Sequence, residues 1–209
     1  MEEKKITEAQ SLEIITEMIA RSNVRRNLGN GNIMLLWGYL TVIVSALVWA
    51  LVGCTHNGLW NWLWFLIWII GGIATPIMAR KQRIEQGTKT YVDTISDGIW
   101  SIIGYMAIVM TFTCLTFLLA GGKDSWSAMF VFALLGVGFA EAVQGIVVKE
   151  KSLIIGGSIG ILAGVIMLAS IAGKVVLYIN WVMPMFIAAF ICMMIIPGHI
   201  LNAKARKEK

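Results

Sequence analysis

Glu141 is the residue in this chain with the clearest chemical potential, because it is the only acidic side chain deep inside a long apolar run. A carboxyl group at bilayer depth costs free energy. It is therefore expected to face the interior of a helix bundle or a water-filled space, and to pair with another polar group. Gln144 follows at i+3, on the same helical face and one turn nearer the end of the run. Counting from the centre of each run at about 1.5 Å per residue brings Tyr39, Tyr105, Ser158 and Cys192 to a similar depth on four other runs. No Lys or Arg lies inside any run, so a salt bridge is not available and the tyrosine and serine hydroxyls are the expected partners. Without a neighbouring cation the neutral acid is the form expected there. Such a group suits proton coupling or cation binding. The plainer alternative is an interhelical hydrogen bond.

The elements that must position Glu141 are six apolar runs, at about 33–52, 59–78, 99–120, 126–148, 152–171 and 177–196. A hydrocarbon core of about 30 Å is crossed by about 20 helical residues. Only 14% of the chain is charged, against about 25% in soluble domains. The expected fold is all-α, a polytopic membrane bundle of six transmembrane helices arranged as three hairpins and preceded by a cytoplasmic amphipathic helix. The domains are residues 1–32, the amphipathic helix with its Asn/Gly-rich turn; 33–201, the six-span bundle; and 202–209, a basic tail. The N-terminus, Glu2-Glu3-Lys4-Lys5, has no apolar core before residue 33 and does not read as a cleavable signal.

Of the 17 Lys and Arg residues, all but Lys123 and Lys174 fall in segments on one side of the runs. Cytoplasmic loops collect such residues. Both termini are thus expected in the cytoplasm of a bacterial inner membrane, with the lipid bilayer as the first partner. The net charge of +5 lies between spans and does not indicate nucleic acid. Trp60, Trp62 and Trp126 fall at the expected outer boundary, where tryptophan prefers the headgroup level. Trp60, Trp64 and Trp68 are spaced as a helical stripe, read as a packing ridge or a ligand-stacking wall.

Thr7 to about Arg26 reads as an amphipathic helix, with Thr7 and Gln10 as a capping box and Leu12, Ile15 and Ile19 on one face. Its first half is acidic, unlike membrane-surface helices. Docking on the loops, on a second copy or on a partner protein is therefore preferred to lipid binding.

Span five carries Gly156, Gly160 and Gly164 at i, i+4 and i+8, a ridge that lets another backbone approach. Gly138, Ala142 and Gly145 on span four are a candidate partner surface. Pro184 is expected to kink the outer half of span six by freeing the carbonyl of Asn180, whose side chain would satisfy exposed groups or line a cavity. Gly71, Gly72, Thr75 and Pro76 mark a second weak point.

No catalytic residue or metal site can be assigned. His56 and His199 belong to opposite ends, which excludes ordinary histidine metal sites and histidine-activated nucleophiles. Cys54, Cys114 and Cys192 have no metal spacing. They read as apolar fillers, although Cys54 and Cys114 could approach one another. There is no phosphate-binding glycine loop, and no cofactor is implied. Asp93 and Asp97 are spaced to hold a divalent ion, as in lipid phosphotransferases, but the downstream acidic pair is missing and a role at the helix N-terminus is preferred.

The Ile19–Tyr39 passage, with its Arg-Ser-Asn segment, Asn-Gly-Asn turn and Leu-Leu-Trp-Gly-Tyr start, resembles a family of small uncharacterised bacterial six-span inner-membrane proteins. So does the closing Ile-Ile-Pro-Gly-His-Ile-Leu of Ile195–Leu201. That family is often encoded beside winged-helix regulators, and it brings no catalytic residues. In layout the chain is also similar to substrate-binding subunits of energy-coupling-factor transporters. Their Ala-x-x-x-Ala pair is matched only by Ala46 and Ala50, displaced toward the outer end. The expected function is a non-enzymatic regulatory or sensory membrane protein acting through its N-terminal helix, with a possible protein partner or self-association there. The alternative is a small-solute transporter or binding subunit using Glu141.

Overall fold

The structure, a computed structural model, describes residues 12–14, 16, 31–86 and 91–207. Most of the expected N-terminal helix, including its capping box, lies outside the described residues. All regular elements are helical: α1 (Asn32–Thr55), a 3-10 segment (Gly58–Trp64) running into α2 (Phe65–Gln86), α3 (Tyr91–Gly121), α4 (Ser127–Val148) and α5 (Lys151–Ala172). The last span is composite: α6 (Ile179–Phe190), a π segment (Ile191–Ile195) and α7 (Ile196–Lys207). Six helices are long and apolar enough to cross a membrane. Their outer surface carries Ile43, Ile73, Phe112, Phe139, Ile155 and Leu162, all exposed. An apolar surface of that extent is the surface of a membrane bundle.

The third and sixth spans run past the expected bounds, from Tyr91 and through Lys207, because polar helix continues beyond the apolar stretch. The expected basic tail thus begins as part of α7. We call the end of the bundle bearing Arg83, Lys149 and Lys204 the basic end. The start of α1 and the last span meet there: Asn202 Oδ1 accepts from the Gly31 amide at 3.0 Å, and Asn202 Nδ2 donates to Asn32 Oδ1 at 2.6 Å.

The closest helix pair is α4 with α5, which belong to different expected hairpins. Glycine is the reason. A Cβ on Gly157 would lie 2.5 Å from the Ala142 backbone nitrogen, and one on Gly138 would lie 2.8 Å from the Gly157 carbonyl oxygen. The two backbones therefore touch along the small-residue ridges of both helices. Gly164 receives Leu135, and Gly160 receives the Met193 sulfur of the last span. By contrast, α2 is held mainly by α1 and α3 mainly by α4. The second and third spans do not form a packed pair.

The α4–α5 turn is short. Lys149 adopts the left-handed conformation (φ 58°) and donates its amide to the Gly145 and Ile146 carbonyls, closing α4. Glu150 then caps α5: one carboxylate oxygen accepts from the Ser152 amide and hydroxyl, while the other is 2.6 Å from Lys204 Nζ on α7. Burial alone would raise the Glu150 carboxyl. The bonds from Lys204 and Ser152 outweigh it and hold the pKa below the ordinary value of 4.5.

Two outcomes are expected from these contacts. Gly157→Ala forces a methyl group against backbone and should destabilise the bundle by about 1–3 kcal/mol. Gly72→Ala, where a Cβ meets nothing within 4 Å, should be neutral or slightly stabilising. Thermal unfolding in detergent separates them. For Glu150 the folded chain favours the anion. Its contribution is therefore complete above about pH 4.5 and vanishes as pH falls through the lowered folded value. Glu150→Gln should melt below wild type at neutral pH, and the gap should close in acid.

Candidate functional site

Two features of the interior have the makings of a site. The first is a cavity of about 1190 Å³ between the poorly joined α2 and α3. Its walls are aromatic: Trp37 from α1, Trp64 and Trp68 from the second span, Trp100 from α3, and Phe186 and Phe190 from α6. Most of these rings pack against one another or are hydrogen bonded. Trp64 packs edge-on to Phe130 and Phe186, with centroids 5.4 and 6.0 Å away. Trp37 Nε1 donates to Thr75 Oγ1 at 2.9 Å, and Trp100 Nε1 donates to Gln144 Oε1 at 2.8 Å. With the indole N–H groups of Trp37 and Trp100 engaged inside the wall, the faces of these rings are left for contact.

Polar groups gather at the basic end of the cavity, where Gln82, Arg83, Ser96, Asp97 and Gln144 line it. Arg83 reaches Asp97 at 3.1 Å, tying α2 to α3 across the mouth. Gln82 Nε2 is buried and has no hydrogen-bond partner among the described residues. It is a donor held ready at the end of an apolar chamber.

The second feature is Glu141, fully buried on α4, whose two carboxyl oxygens have no hydrogen-bond partner among the described residues. It does not line the cavity. The hydroxyls expected at its depth do not reach it. Tyr39 bonds His199 Nε2 at 2.7 Å, and Tyr105 is 71% exposed on the lipid side. Ser158 turns back to the Ile154 carbonyl at 2.7 Å. Depth was shared, but helix rotation pointed each of these groups elsewhere. The neighbours Glu141 does have are Gly156 of α5 and the π segment. A Cβ built on Gly156 would lie 3.0 Å from Glu141 Oε1 and 2.8 Å from the Cys192 carbonyl oxygen.

Other sequence candidates separate. Gln144 serves the cavity wall, and Asn180 accepts from Trp49 Nε1 at 3.3 Å. Gly156, Gly160 and Gly164 are buried packing positions inside the bundle. Asp97 is an ion-pair partner of Arg83, in the second turn of α3. Cys54 is exposed and Cys114 buried, and all three cysteines are free. The tryptophan stripe is split, because Trp60 and Trp64 belong to a 3-10 segment of three residues per turn. Trp60 bonds Thr55 instead. Sequence reasoning missed Gln82, Trp37 and Trp100 as wall residues. Their only signal was being polar or aromatic in a lipid-facing sequence, which many neighbours share.

The Trp100–Gln144 bond should contribute about 0.5–1.5 kcal/mol. Trp100→Phe and Gln144→Leu should each lower stability by that order, and the double variant by less than their sum, as read from a double-mutant cycle of unfolding free energies. Comparison of the chain with protein-family models, with curated proteins and with solved structures gave no match.

Proposed function

We propose that this chain is a non-enzymatic, multi-pass inner-membrane protein that binds an elongated, mostly apolar small molecule in the α2–α3 cavity. On this reading both termini are cytoplasmic and the basic end faces the cell interior. The observation that carries the proposal is the cavity itself. Its volume of about 1190 Å³ lies just above the usual range for ligand sites, about 300–1,000 Å³, and its aromatic wall ends in a small group of polar side chains. The unpartnered Gln82 amide favours a ligand whose polar head carries a hydrogen-bond acceptor.

A regulatory output through the N-terminal segment is the form of this function we favour. The last span lines the cavity with Phe186, Phe190 and Met194, and the same span holds Gly31 and Asn32 through Asn202. Occupancy that shifts the last span would therefore reach the point where the N-terminal segment joins α1. Transport of the ligand is the second reading, favoured by the weak α2–α3 pairing that leaves the cavity open between spans.

The cavity can be filled without disturbing packing. Gly104 lines it, and a Cβ there meets nothing within 4 Å. Gly104→Leu and Ala107→Phe should keep the melting temperature and lower the affinity for a long-chain acyl amphiphile at least tenfold, measured by quenching of tryptophan fluorescence. Unchanged affinity in both variants would remove the cavity as the site. Deleting residues 1–30 should leave that affinity intact while abolishing capture of a partner. If flux into proteoliposomes survives the deletion, the carrier reading stands instead.

A further inference from the structure

The last span is broken at a defined atom. The Ile196 amide bonds the Ile191 carbonyl, five residues back, so it no longer serves the Cys192 carbonyl four residues back. The next amide in a π pattern would be that of residue 197, which is proline and has none. Neither of these two positions therefore supplies a donor to the Cys192 carbonyl, and no described side chain donates to it. In lipid, such a group must find a partner elsewhere. The side chain beside it is Glu141, equally unpartnered, and the two oxygens share the space over Gly156.

Both oxygens lie within 3.0 Å of the point a Gly156 Cβ would occupy, and two acceptors near one another in a closed interior repel. A proton between them converts the pair into an O–H donor and its acceptor. We propose that Glu141 and the Cys192 carbonyl form an intramembrane proton-binding site, in which Glu141 takes up one proton and donates the resulting O–H to Cys192 O. A metal cation is the poorer fit, because these groups supply only three oxygens and the described residues contain no cluster of three metal-ligating side chains.

No other charge competes for the site. On α5 the titratable group is Lys151, exposed at its first residue. On the last span, besides the Cys192 thiol, His199 is engaged by Tyr39 and Lys204 by Glu150. On α3, Tyr105 is exposed, Cys114 bonds the Ser125 carbonyl and Asp97 pairs with Arg83. The protonated pair staples α4 to the bend of the last span. Phe190 and Met194, on either side of Cys192, line the cavity, so proton loss would loosen the wall described above. That coupling rests on the proposed cavity function, whereas the proton site does not.

Infrared spectroscopy of the full chain in lipid nanodiscs, with no added ligand, tests the site. At neutral pH the spectrum should show the C=O stretch of a hydrogen-bonded carboxylic acid, and Glu141→Gln should remove it. Pro197→Ala restores an amide at position 197 that can close on the Cys192 carbonyl or straighten the bend, and the acid band should move toward the free-acid position. A band that is absent in the wild-type chain, or that survives Glu141→Gln, overturns the proposal. So does a band that stays in place in Pro197→Ala. Should Pro197→Ala fail to fold, melting temperatures decide. Glu141→Gln keeps a donor for Cys192 and should melt near wild type, whereas Glu141→Leu should melt clearly lower. Equal melting of the Gln and Leu variants would sink the idea. Since no ligand enters these measurements, they can fail while the cavity variants succeed, and the reverse.

Discussion

The contact of α4 with α5 at Gly138 and Gly157 is the constraint from which the rest of the interior follows. Backbones that close leave no room for two large side chains between them, so Leu135 and Leu153 fit only where the facing helix carries glycine. Van der Waals contact of this kind drives helix association in lipid, where apolar side chains gain nothing by leaving the solvent. Glu141 sits on this tight pair, one turn from Gly138, and its position against Gly156 is a direct result. The Lys149–Glu150 turn holds the pair closed at the basic end, and Lys204 ties the last span to the same turn.

Where small residues meet no facing backbone, the bundle opens. Along the cavity Gly104 and Ala107 of α3 face open space rather than a glycine ridge on α2. The space is walled by aromatic rings, with the Trp37 and Trp100 N–H groups engaged and a few polar groups at one end. Tight packing on the α4–α5 side and loose packing on the α2–α3 side give the molecule a rigid half and a yielding half. Binding sites and moving elements are drawn from regions of low local stability.

The last span joins the two halves. Its π segment lies beside the buried Glu141 at Gly156, while Phe190 and Met194, on either side of Cys192, face the cavity. π segments inside helices are frequent at functional positions because they release a backbone group and turn neighbouring side chains. Beyond the bend, α7 reaches the start of α1 through Asn202 and Gly31, so the first and last spans are joined at the basic end.

Six apolar runs of sufficient length were enough to specify six membrane helices, since lipid leaves the backbone few other ways to satisfy its polar groups. Glycine spacing on spans four and five likewise announced close approach, and Glu141 stood out because an acid in that setting is rare. Rotation about each helix axis was not legible, because apolar residues surround these helices on all sides and leave no polar stripe to mark the inner face. Tyr39, Tyr105 and Ser158 therefore matched Glu141 in depth yet point away from it. The break in the last span was likewise hidden: Pro184 drew attention, while the π segment lies just before Pro197, inside a span that continues as helix. Composition settled the solvent and the elements. Only the packed structure decided which atoms meet, because contact in lipid depends on the fit of surfaces rather than on the segregation of polar from apolar residues.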